Sequence, residues 1–267
     1  MRMVQVFLRT APMALLLVAC ATTPEPQPPP ASAANHYELG KAYFDGGNYR
    51  LAIPEFSKAV ELRPTDPIYR SDLGMAFMFN RNLDEAIKQF EEAIKLDKRY
   101  TAAKNNLASA YMLKGDQERA KGDQERAKDY LEKARTLLTE VLNDPLYPTP
   151  HFAYFNLAKT YERQGKIDQA IENYRLALDV ERDYADAYNN LGFLYLQQGR
   201  TDLAISAFSE ATRLGPKVPV YHRNLGIAYA EAGRRREARR AFERVLELES
   251  TGPSAEYARK ALDDLKQ

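Results

Sequence analysis

The sequence predicts an all-α solenoid of stacked helix-turn-helix hairpins, and three observations carry that prediction. A pattern of large, small and turn residues recurs every 34 residues along most of the chain. Inside each recurrence the apolar residues keep a helical period on both sides of a turn signal. The composition, 45% hydrophobic and 28% charged with 13 Gly and no Trp, suits an all-helical repeat protein rather than a disordered chain. The stretch from Tyr184 to Pro216 shows the unit most plainly. Tyr188, Leu191, Gly192 and Tyr195 share one face of a first helix, and Gly199 interrupts it. Asp202 is placed to cap a second helix, whose Ala204, Phe208 and Ala211 face the first. The small residues let two helices approach closely where Tyr and Phe fill the space between them.

The same spacing reads backwards as Leu157, Ala158, Tyr161, Ala170, Tyr174, Ala177 and forwards as Leu225, Gly226, Tyr229, Ala238, Phe242, Val245. In the first half it recurs as Leu39, Gly40, Tyr43, Ala52, Phe56, Ala59, Pro64 and as Leu73, Gly74, Phe77, Ala86, Phe90, Ala93, and Leu107, Ala108, Tyr111 open a further copy. This spacing resembles the tetratricopeptide repeat (TPR), whose unit carries the LG-Y, A---F and P positions. The resemblance implies a right-handed superhelical solenoid of six TPR units near 33–66, 67–100, 101–150, 151–184, 185–218 and 219–252. Thr251, Gly252 and Pro253 end the last of them. Ala255, Ala258, Ala261, Leu262 and Leu265 then share a face, so 254–266 is expected to be a capping helix with a charged outer side.

Ahead of the array, residues 1–19 place Arg2 and Arg9 before a short apolar run from Met13 to Val18, the pattern of an export signal. That run falls far short of the ~20 residues a spanning helix needs. Leu17, Val18, Ala19 and Cys20 resemble the lipobox of bacterial lipoproteins, which implies lipidation at Cys20, the only cysteine, and so no disulfide. Ala21 in place of an aspartate implies, by the same resemblance, the periplasmic face of the outer membrane. Residues 20–34, rich in proline, are expected to be an extended tether, with the folded domain at 35–267.

Two irregularities interrupt the array. The heptad GDQERAK occurs twice, at Gly115–Lys121 and Gly122–Lys128, and seven residues are nearly two helical turns with a drift of only ~20°. One helix is therefore expected to lengthen without re-facing its apolar stripe, as a solvent-exposed extension. Leu142 to Pro150 then holds three prolines and is expected to be an extended, non-helical link. The stretch DPLYPTPHFAYFNLAKTY at the middle of six TPR units behind a lipobox resembles the type IV pilus biogenesis pilotin family (PilF/PilW type). The heptad duplication is not part of that family's pattern.

In TPR arrays the first helix of each pair lines the concave face, and ligands lie there. The positions that the family turns inward are here Ile68, Met75, Met78, Phe79, Met112, Leu113, Phe152, Phe155, Phe193 and Leu196, so an apolar groove suited to an amphipathic helix or apolar peptide is expected. Lys41, Lys159, Arg163 and Arg223 occur singly, without the recurring set with which chaperone-binding relatives clamp a terminal carboxylate. Five arginines, Arg234, Arg235, Arg236, Arg239 and Arg240, read as a solvated helix start. His36, His151 and His222 are scattered; His36 and His222 fall where the family places a packing residue. No metal-ligand spacing, phosphate loop or nucleophile motif is present, so neither catalysis nor a cofactor nor a small-molecule substrate is expected. Net charge of +1 gives no case for nucleic acid. The resemblance implies a non-enzymatic lipoprotein that binds secretin subunits and promotes their localisation and multimerisation. The alternative is a scaffold lipoprotein gathering periplasmic proteases, cell-wall enzymes or polysaccharide-export components.

Overall fold

A computed structural model describes residues 32–266; the export signal, Cys20 and the tether up to residue 31 lie outside the described residues. Thirteen helices follow in this region with no strand among the described residues: α1 (Ala33–Asp45), α2 (Tyr49–Leu62), α3 (Pro67–Phe79), α4 (Leu83–Leu96), α5 (Thr101–Ala120), α6 (Gln124–Leu142), α7 (Pro150–Arg163), α8 (Ile167–Val180), α9 (Ala185–Gln197), α10 (Thr201–Leu214), α11 (Pro219–Glu231), α12 (Arg235–Leu248) and α13 (Pro253–Asp264). Each odd helix pairs with the next even one, and each pair stacks on the next, giving the expected solenoid of six hairpins closed by α13.

Local chemistry sets the helix starts. Ser32 accepts from the Asn35 N–H, so residues 32–34, read as the end of the tether, already cap and open α1. Asp66 accepts from the N–H groups of Ile68 and Tyr69, with Pro67 in the first helical position where its missing N–H costs nothing. Asp202 is not a cap: α10 begins at Thr201, and the carboxylate sits inside the first turn, where it complements the helix dipole. The hairpin turns place Gly47, Gly122, Gly165, Gly199 and Gly233 at positive φ; in the second hairpin Arg81 takes this conformation at φ 65°.

The core runs between the helices of each pair. Phe56, Phe90, Tyr174, Phe208 and Phe242 are fully buried, each lying over a small residue of the preceding helix. Tyrosine hydroxyls then stitch neighbouring hairpins together. Tyr37 donates to Asp72 (2.6 Å), Tyr111 to Glu91 (2.9 Å) and Tyr221 to Asp186 (2.5 Å). The two histidines expected to pack are tethers instead: His36 Nδ1 lies 2.7 Å from Glu55, and His222 Nε2 lies 3.0 Å from the Pro216 carbonyl.

The third hairpin corrects the sequence reading in three ways. Both of its helices lengthen, to 20 and 19 residues against 13 and 14 in the hairpin before it. Gly115, at the register of a turn, is helical; the turn moves one heptad on to Gly122, and a Cβ on Gly115 would lie 3.2 Å from the Ala127 carbonyl oxygen of the return helix. The first heptad copy is not a solvent-exposed extension. Within it Gly115 and Glu118 are buried, Glu118 pairing with Lys121 (2.8 Å), and just ahead of it the buried Lys114 pairs with Asp84 (2.6 Å). The longer outbound helix requires a longer return, and residues 138–142 supply it with Leu138 and Val141 at 0% exposure. The link is thus confined to residues 143–149 and is a compact turn, with Asp144 accepting from the Leu146 N–H and Tyr147 tucked into the core.

Candidate functional site: the inner face of the odd helices

Among the odd helices, α3 touches α5, α5 touches α7, α9 touches α11 and α11 touches α13, whereas no two even helices approach as extensively. The odd helices therefore form the inside of the curve. Asparagine side chains link successive hairpins along this face: Asn156 donates to Asn105 (3.1 Å) and Ser109 (3.2 Å), Asn224 to Asn189 (2.8 Å), and Asn190 to the hydroxyl of Tyr174 on α8 (3.1 Å). These bonds fix the angle between successive hairpins and satisfy polar groups that the curve partly buries.

The residues expected in an apolar groove do not form one continuous surface. Met78, Phe79 and Leu113 come together, with Arg81, Leu83 and Gln117, around a hollow of about 490 Å³. Phe193 and Leu196 line a second hollow of about 240 Å³ with Arg223, Ile227 and Tyr257. Ile68, Phe79, Leu113, Phe152 and Phe193 are between 42% and 50% exposed, and Met75, Met78, Phe155 and Leu196 are half-buried. Phe79 also packs on Phe44 and Tyr49 of the first hairpin. Phe152 and Phe155 gather around Tyr184, away from both hollows. Met112 leaves the set altogether. At 3% exposure it belongs to the core, where its sulfur accepts from the Thr160 hydroxyl (3.0 Å).

Between the two hollows the face is charged rather than apolar. Asp116, Arg119, Lys159, Glu162, Arg163, Asn190 and Phe193 surround a hollow of about 460 Å³. Arg163 grips Asp116 through Nε and Nη2 at 2.9 Å, and Arg119 donates to the Arg163 carbonyl (2.9 Å). Burial, and then the positive charge of Arg163, hold the Lys159 ammonium below its ordinary pKa. Sequence reasoning takes Lys159 and Arg163 as isolated; their spacing of four on one helix puts them on one face and is the available signal. Asp116 and Arg119 could not be placed in advance, because only the lengthened α5 carries them there. Arg81 lines the first hollow without having been anticipated, although its register matches the turn glycines of the other hairpins.

Three models of the tetratricopeptide repeat match the chain, at residues 40–78 and 158–199, 71–136 and 183–249. The chain is a tetratricopeptide-repeat protein. The stretch that these matches leave between them falls on the overrun of α6, the seven-residue link and the start of α7, where the tetratricopeptide unit is enlarged. Among solved structures, the array is similar to that of PilW, described as a widely conserved type IV pilus biogenesis factor, with TM-score 0.70 and 16% identity over 88% of this chain and 98% of that one. PilF of Pseudomonas aeruginosa gives TM-score 0.67 and 18% identity over 88% and 96%. A thermophilic tetratricopeptide protein of Thermus thermophilus gives 0.66 and 25% over 74% and 100%. No curated protein matches the sequence. Tetratricopeptide arrays are in general non-catalytic scaffolds for protein partners. Among the described residues no group of three or more His, Cys, Asp or Glu is placed to hold a metal ion, and no helix is long and apolar enough to cross a membrane.

Proposed function

We propose that this tetratricopeptide array is a lipid-anchored pilotin. It binds a secretin subunit along its inner face, carries it to the outer membrane through lipid on Cys20, and promotes multimerisation there. One observation carries the binding part: Phe79, Leu113 and Phe193 are large apolar side chains that stay nearly half exposed on a face whose neighbouring core residues are closed. An amphipathic helix or apolar peptide covers such side chains with its own. The lipobox residues Leu17 to Cys20 support the anchoring part, the PilW- and PilF-like architecture is consistent with a type IV pilus setting, and the choice of a secretin rests on the sequence resemblance of the DPLYPTPHFAYFNLAKTY stretch.

The decisive experiment is membrane fractionation of a strain lacking the protein, followed by an unheated gel that preserves secretin multimers. Loss of multimers with monomer retained is the expected result. Unchanged multimers would replace this reading with a scaffold for periplasmic enzymes. Exchanging Met78 and Phe79 for Asp is expected to abolish co-purification of the secretin, and retained binding would remove the first hollow from the interface.

A further inference from the structure

We propose that the inner face holds, between its two apolar hollows, a receptor for a side-chain carboxylate of the bound segment, with Lys159 as the cation that meets it. The inference rests on the reading of this face as a peptide groove and specifies the chemistry of what lies in it.

Around the middle hollow only Arg163 and Asp116 form an ion pair, and of the remaining charged side chains Lys159 alone also lacks a hydrogen-bond partner among the described residues. Arg163 is neutralised by Asp116, Arg119 commits a guanidinium N–H to the Arg163 carbonyl, and Glu162 accepts the Tyr174 hydroxyl (3.0 Å). Lys159 makes no ion pair and donates no hydrogen bond among the described residues; its Nζ lies 5.3 Å from the centre of the Phe155 ring. The groups that face it are Arg163, which repels its charge, and more weakly Glu162, Asp186 and Asp116. A half-buried ammonium with an aromatic ring as its near neighbour is poorly solvated, and it gains most from an incoming anion.

The layout also fixes what kind of anion. Phe193 lines both the charged hollow and the apolar hollow beyond it, so the two adjoin. On the other side Asp116 lies next to Gln117 and one turn from Leu113, which line the first hollow. A chain ending at Lys159 would leave one apolar hollow empty. A chain running through presents an acidic side chain to Lys159 and apolar side chains to both hollows. The occupant is therefore a continuous segment with an internal Asp or Glu flanked on each side by large apolar residues.

The test uses the purified full chain to select from a displayed library of random 16-residue peptides with free C-termini, in parallel with its Lys159→Met and Lys159→Glu variants. Peptides selected by the unaltered protein are expected to carry an internal acidic residue between apolar ones. Changing that residue to its amide is expected to weaken binding about tenfold by fluorescence anisotropy, the weight of a charge-assisted hydrogen bond. Lys159→Met should bind the acid and amide peptides equally, and Lys159→Glu should select Lys or Arg at the same place. Apolar peptides without an internal acid would overturn this proposal and leave the groove standing, as would a carboxylate required only at the C-terminus. Recovery of no peptide would overturn the groove and the proposal together. Circular dichroism of Lys159→Met checks that its fold is retained.

Discussion

A Cβ added to Gly192 would lie 2.9 Å from the ring of Phe208, so the first helix of the fifth hairpin rests directly on a fully buried aromatic of the second. The same contact joins Gly40 to Phe56, Gly74 to Phe90 and Gly226 to Phe242, and only the absence of a side chain permits it.

Gly192→Ala is accordingly expected to cost about 1–3 kcal/mol by overpacking, read as a lower denaturant midpoint. Phe208→Leu, destabilising alone, should recover part of that loss when combined with it. Strictly additive effects in the double-mutant cycle would show that the contact is not the cause.

Arg81 holds a left-handed conformation that glycine adopts freely and that costs an L-residue roughly 1–2 kcal/mol. Part of that gain is offset by the larger chain entropy that glycine loses on folding. Arg81→Gly should therefore stabilise the protein by about 0.5–1 kcal/mol. A lowered midpoint with an unchanged slope would refute this account of the turn.

Alkali should loosen the array through its tyrosines. Burial, with neighbouring carboxylates, raises the phenols of Tyr37, Tyr111, Tyr174, Tyr184 and Tyr221 above their ordinary value of 10.0. A raised folded pKa means that the stabilisation is complete below pH 10 and is lost as the pH climbs towards the folded values. The unfolding midpoint is expected to be unaffected by these groups up to about pH 10 and to fall beyond it. Tyrosinate absorbance should show these phenols ionising only as helical circular dichroism disappears.

The matched arms of the third hairpin give a length-dependent prediction. Removing one GDQERAK copy shortens α5 and returns the turn to the register of Gly115, but α6 then overhangs by the segment holding Leu138 and Val141, both at 0% exposure. Exposing two such side chains costs roughly 3–6 kcal/mol at about 1.5–3 each. Removing residues 138–144 as well should restore most of the loss. If the single deletion is as stable as the parent, the two insertions are independent.

The repeat is almost completely legible in the sequence, because each hairpin's core depends on a few positions whose size is dictated by contact: Gly192 under Phe208, Ala204 and Ala211 beside it. The third hairpin is harder, since a heptad inserted in one helix creates a requirement on another that no local pattern expresses. Leu142 opens the proline-rich stretch in sequence yet closes α6 in the fold, and only the length of α5 explains why. The inner face is half legible. Phe79, Leu113 and Phe193 follow from register, but Met112 is lost to the core because the long α5 packs against Thr160 of α7. The charged middle escapes sequence reading because Asp116 arrives from the duplicated segment, and an ion pair between residues 47 apart in sequence leaves no periodic trace.

The enlarged hairpin also bears on descent. Its outbound and return legs must agree in length, so the heptad and the five residues that end α6 act as one structural unit rather than two. A lineage that gained the heptad first would have carried an α5 projecting beyond its partner until the second change arrived; the reverse order would have left Leu138 and Val141 in water. A chain that loses one leg alone is accordingly expected to need the loss of the other to regain its stability.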